Sequence, residues 1–193
     1  QKKENEWMGV FHASAINYKE DALLILGDSG NGKSTSLALL QAQGFHCIAD
    51  DFVPVAAQSQ EIYSFPAAIS VKKTSLDTLL PLYPELSESK EYDFKVAQKI
   101  VRYLKPNNSD FSSHLPCKGL VFIKYIKDAP LSCKKIDKIT AFQKLVPDSW
   151  LSPIKENAAI FLDWFAALDC FELTYSNNTE MVAQVSKLFR DEL

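Results

Sequence analysis

The sequence predicts an α/β fold: a mixed-sheet P-loop domain with helices gathered in its C-terminal part. Three observations predict it. Short apolar runs of strand length alternate with helical patterns through the first half of the chain. A glycine cluster sits between one such run and a helix. The last third repeatedly places apolar residues at helical spacing.

The elements follow in order. Val10 to Asn17 alternates and reads as one strand, and Ala22 to Leu26 as a buried strand. Past the glycines, Lys33 to Gln43 holds good helix formers and stops at Gly44, a C-cap residue. Phe45 to Ala49 is a strand ending at Asp50-Asp51. Phe52 to Ala56 and Glu61 to Phe65 are strands around Gln58-Ser59-Gln60, and Ser70 to Lys73 is extended. Ser75 to Leu82 is a helix, Lys99 to Leu104 a strand, and Gly119 to Ile126 a strong strand. Ile139 to Leu145 is helical. The longest helix opens at Ser152-Pro153, a good N-cap followed by a residue welcome at the first helical position. Cys170 to Tyr175 is a strand, and Thr179 caps a last helix bearing Met181, Val185 and Leu188 on one side. Pro84 to Glu91 and Pro106 to Pro116 are loop-like. Neither marks a boundary, so 1–193 reads as a single domain, with the charged start fitting the C-terminal part of a longer protein.

Composition narrows the function. The chain has 193 residues, 47% of them hydrophobic and 23% charged, enough to bury one core. A net charge of -3 argues against nucleic acid as a partner. No apolar run reaches membrane-spanning length, and no leader is visible at the start. The 4 cysteines form no C-x-x-C pair, so reduced thiols in a cytoplasmic protein are expected.

Gly27-Asp28-Ser29-Gly30-Asn31-Gly32-Lys33-Ser34 matches G-x-x-x-x-G-K-[ST] in full. Half of the chain's 6 glycines fall here, between an apolar strand and a helix, where a chance match is improbable. Glycines let successive backbone N–H groups turn inward, and the helix start adds unpaired donors and partial positive charge. Together they cradle a polyphosphate. Lys33 would neutralise its outer phosphates, and the Ser34 hydroxyl would meet Mg²⁺. Asp50-Asp51 closes a strand one helix later. Two carboxylates there suit metal binding and proton abstraction.

At this point the sequence resembles the catalytic domain of the HPr kinase/phosphorylase family. The stretches that carry the resemblance are Phe11-His12-Ala13-Ser14, the loop from Gly27 to Ser34, and Gly44-Phe-His-Cys-Ile-Ala-Asp-Asp-Phe-Val-Pro54. PEP carboxykinase shares the order of P-loop and Asp-Asp. The resemblance implies a kinase using ATP and Mg²⁺ to phosphorylate a hydroxyl, a Ser of a protein or peptide, with Gly27 to Thr35 holding the nucleotide. It implies that Asp50 accepts the hydroxyl proton while Asp51, with Ser34, contacts the metal, or that the two aspartates exchange roles. It places His12 near the reacting phosphate, and it implies a homo-oligomer. Two departures stand out. Thr35 replaces a common Glu, and the HPr-gripping loop is not recognisable between Ser64 and Pro116. Two other readings stay open: a small-molecule phosphotransferase of the PEP-carboxykinase type, and a nucleotide-binding sensor without catalysis.

A transferring phosphoryl group calls for a further cation. Arg102 is the first candidate, since it interrupts the apolar run Ile100-Val-Arg-Tyr-Leu104. Lys72, Lys73 and Lys124 follow.

Overall fold

The computed structural model describes residues 6–65, 67–95, 99–107 and 114–190. The chain builds β1 (Trp7–Phe11), β2 (Ser14–Tyr18), β3 (Asp21–Leu26), α1 (Lys33–Ala42), β4 (His46–Ala49), β5 (Val53–Ala56), β6 (Glu61–Tyr63) and β7 (Ile69–Lys72). Then come α2 (Lys73–Leu79), β8 (Tyr92–Phe94), β9 (Lys99–Leu104), β10 (His114–Tyr125), β11 (Ser132–Lys135) and α3 (Lys138–Leu145). The chain continues through β12 (Ser149–Leu151), α4 (Lys155–Ala167), β13 (Asp169–Tyr175) and α5 (Asn178–Arg190). Most of the predicted loop Pro106 to Pro116 lies outside the described residues.

The large sheet is mixed, in the order β12-β1-β5-β6-β10-β3-β2-β4, with β13 beside β10 and β11 beside β13. Its long strand β10 joins two regions. His114 to Pro116 pair antiparallel with β6, and the rest runs parallel to both β3 and β13. A separate three-stranded sheet runs β7-β9-β8.

Alternation along β3 divides the core. Leu23 and Ile25 join Leu37 and Leu40 of α1 and Val185 of α5, while Leu24 and Leu26 join Leu145 of α3 and Phe161 and Trp164 of α4. Helices therefore cover both faces of the central parallel strands, as parallel strands require. Truncating a fully buried leucine such as Leu24 to Ala is expected to cost roughly 2–5 kcal/mol. Among the described residues no helix is long and apolar enough to cross a membrane.

The structure redraws four sequence boundaries. Val10 to Asn17 is two strands, because the chain changes partners. Phe11 pairs with Val53 and Ser149, whereas Ser14 pairs with Ile25. His12 sits at the break, its N–H bonded to the Asp148 carbonyl at 3.1 Å. The helix expected to open at Ser152-Pro153 begins at Lys155, since the Ser152 N–H is drawn to the Met8 carbonyl on β1 and Ile154 stays extended. The last helix is capped by Asn177, whose Oδ1 accepts from the Thr179 and Glu180 N–H groups at 2.8 and 3.2 Å. And α2 opens at Lys73, two residues before Ser75.

The edge strand β4 is finished by a side chain. Asn107 Oδ1 accepts from the Cys47 N–H at 3.0 Å, and its Nδ2 donates to the Phe45 carbonyl at 2.7 Å. Farther along, the Phe65 N–H donates to the Ile48 carbonyl at 2.8 Å.

Candidate active site

The glycine loop lies at the carboxyl ends of the three parallel strands, where open α/β sheets place their ligands. Two glycines are required there. A Cβ on Gly27 (φ 145°) would fall 2.6 Å from the Ile123 carbonyl, and one on Gly32 (φ 96°) 2.6 Å from the Tyr175 hydroxyl. Tyr175 supports the loop from beneath, its hydroxyl 2.9 Å from Ser36 Oγ. Gly32 is also the N-cap of α1. No side chain caps that end and no acid occupies its first turn, so the helix keeps its free donors and positive end.

Lys33 is buried, and its Nζ donates to the Gly27 carbonyl at 2.5 Å. Burial pushes its ammonium below the ordinary lysine range, opposed by the charges of Asp51, Asp50 and Asp148, with Lys72 adding to the fall. A lysine so desolvated gains from an arriving polyphosphate.

Asp50 lies behind the loop. It is 2% exposed. Its Oδ1 accepts from Ser14 Oγ at 2.6 Å and Ser34 Oγ at 3.3 Å, and its Oδ2 accepts from the Ser70 N–H at 3.3 Å. Burial lifts its carboxyl above the ordinary range, more than the bond from Ser14 lowers it. Asp51 is placed quite differently. Its backbone turns to φ 65°, a costly conformation for a residue with a side chain. That turn throws the carboxylate outward, half exposed, to 3.7 Å from His12 Nε2.

A cavity of about 580 Å³ opens over these groups. One wall holds Ser29, Gly30, Gly32, Lys33, Ser34 and Thr35 from the loop and helix start. His12, Asp51 and Phe52 form the second, and Ser70, Lys72, Thr74, Ser75 and Lys99 the third. Thr35 joins two of the walls, its Oγ1 2.7 Å from Ser75 Oγ. Asp28 and Asn31 brace the loop itself, with the Asn31 N–H bonded to the Asp28 carbonyl at 3.1 Å. The oxygen set at Ser34, Asp50 and Asp51 suits Mg²⁺, which is held by one or two carboxylates together with substrate phosphates.

Most of the predicted residues meet here, and Arg102 does not. Its guanidinium donates to the carbonyls of Leu86 (3.0 Å), Ser87 (3.3 Å) and Ser89 and approaches Glu91 at 3.3 Å. It holds a turn together, away from the cavity. Lys72 and Lys99 do line it, on the wall across from the loop. Lys99 opens the run that drew attention to Arg102, and Ser14 lies two residues past His12 in the stretch already singled out. Neither carried a signal of its own, because a lone Lys at a strand start and a lone Ser within a strand are ordinary.

No family model and no curated protein matches this sequence. A solved structure described as the HPr(Ser) kinase/phosphatase from Coxiella burnetii is similar over 94% of this chain and 94% of its own, at 12% identity and a TM-score of 0.39, a likeness too slight to carry a functional argument.

Proposed function

We propose that the chain is an ATP- and Mg²⁺-dependent kinase that transfers the γ-phosphoryl group to a hydroxyl, a Ser of a protein or peptide. One observation carries the reading. The hydroxyl beside the P-loop lysine is bonded to a buried aspartate, while the next residue's carboxylate faces the same cavity. A glycine-rich turn needs neither arrangement for its own sake.

The loop N–H groups and Lys33 would bind and orient the phosphates. Ser34 would meet Mg²⁺, with Asp50 behind it holding the Ser34 hydroxyl in place, and Mg²⁺ when bound would neutralise charge on the phosphates. The resemblance gives proton abstraction to Asp50 first. The geometry favours the exchange: Asp50 is enclosed with its oxygens already bonded, whereas Asp51 is open to an incoming group. The acceptor oxygen forms its bond to phosphorus, the bond to the bridging oxygen of ADP breaks, and the hydroxyl proton passes to Asp51. His12, 3.7 Å from it, would help orient that carboxylate.

Calorimetry with Mg-ATP tests the site and ADP release tests the chemistry. Lys33→Ala is expected to weaken binding about tenfold or more. Asp51→Asn is expected to keep binding and lose transfer by about 10²–10⁴-fold, the usual worth of a positioned base. If Mg-ATP does not bind at about millimolar concentration, the reading fails.

A further inference from the structure

Resting on that kinase reading, we propose that the acceptor is a peptide bearing an acidic residue beside its reacting Ser, laid over the cavity side of the β7-β9-β8 sheet. Charge is the first argument. The cavity lining holds three lysines against one carboxylate, in a chain whose net charge is -3. Lys33 belongs to the phosphate loop and Asp51 faces His12. That leaves Lys72 and Lys99 on the wall across from the loop, with no carboxylate partner among the described residues. Like charges converging on one cavity repel, and Lys72 is close enough to act on Lys33. An anionic group entering on that side relieves the repulsion, and the nucleotide's phosphates are already served by the loop.

Register is the second argument. Ser70 lies opposite Tyr103, Lys72 opposite Val101, Tyr92 opposite Val101 and Phe94 opposite Lys99. Directly paired residues share a face. Both lysines therefore share theirs with Tyr92, Phe94 and Tyr103, which are 39%, 46% and 40% exposed. The rings of Tyr92 and Tyr103 meet edge to face at 5.3 Å. The cationic wall thus continues outside the cavity as a strip of exposed rings, Tyr92 and Phe94 on the edge strand β8 and Tyr103 on the central strand β9. A small hydroxy acid would use the lysines and leave the rings bare, whereas an extended peptide spans both.

The test uses the whole chain, Mg-ATP and a positional-scanning library of peptides around a fixed Ser, read by phosphate transfer. Acidic residues next to the Ser are expected to be favoured about tenfold over neutral ones, and basic ones disfavoured. In Lys72→Ala/Lys99→Ala the preference should flatten while Mg-ATP affinity stays within about threefold. In Lys72→Glu/Lys99→Glu it should turn toward basic peptides. Transfer without an acidic preference, or a preference that survives both double variants, overturns the proposal and leaves the kinase reading standing. ADP release stimulated by glycerate but by no peptide overturns it as well, keeping a nucleotide-dependent kinase but replacing its peptide acceptor with a small acid. Mg-ATP binding with no transfer to any peptide also overturns it. Failure to bind Mg-ATP instead removes the reading on which it rests.

Discussion

Ser14 on β2 donates its hydroxyl hydrogen to Asp50 Oδ1 at 2.6 Å, tying the strand after His12 to the carboxylate behind Ser34. The bond softens a costly burial without cancelling it. The Asp50 carboxyl stays above its ordinary 3.8, so above that value the folded chain binds its proton more tightly than the unfolded chain does. Its contribution to stability is then most favourable below the unfolded value and is lost as pH rises through the folded one. In metal-free buffer, Asp50→Asn should unfold at higher urea than the parent at neutral pH. It should also lose less stability as pH climbs from about 4. Urea titrations across that range check both, and a variant less stable at every pH would refute the account.

Gly32 and Tyr175 should behave as a coupled pair. Gly32→Ala forces a Cβ against the Tyr175 hydroxyl and strains a left-handed backbone. Tyr175→Phe alone loses a buried bond to Ser36, worth about 1 kcal/mol. In the Tyr175→Phe background the alanine should cost less than in the parent, by roughly 0.5 kcal/mol or more. Denaturation of the four proteins in the cycle measures the difference.

Arg102→Ala should lower stability and spare nucleotide binding. The side chain gathers the carbonyls of Leu86, Ser87 and Ser89, so its loss is expected to cost about 1–3 kcal/mol. A tenfold loss of Mg-ATP affinity in a folded Arg102→Ala protein would return Arg102 to the site.

Cys47 should resist thiol reagents until the chain unfolds. It is fully buried, and burial with the nearby Asp50 charge pushes its thiol up to about 12. At pH 8 the thiolate fraction is on the order of one in ten thousand. Mass spectrometry after a timed alkylation should find Cys47 unlabelled in the native protein and labelled in urea.

The sequence showed what is local. The loop from Gly27 to Ser34 is a contiguous pattern, and Asp50-Asp51 follows at the end of its own strand, so both were legible as candidates that the fold brings close together. The mixed class was legible from strand lengths and helix periods. What depends on the third dimension was not. Nothing in residues 50 and 51 tells which is enclosed, since that is decided by Ser14 and Ser70 arriving from other strands. Arg102 looked available because its neighbours are apolar, yet its partners are backbone carbonyls more than ten residues earlier, which no side-chain pattern reveals. The break at His12 was hidden for a similar reason: alternation continues through it while the pairing strand changes.

Asn107 has a consequence for how molecules meet one another. Three groups along the last strand of the large sheet, the Cys47 N–H and the carbonyls of Phe45 and Ile48, are already spoken for, by one amide and by the Phe65 backbone. A neighbouring molecule approaching that flank finds those three groups taken and a poorer template on which to add a strand. The segment that delivers both acids is thereby less inviting to the edge-to-edge stacking that would bury them.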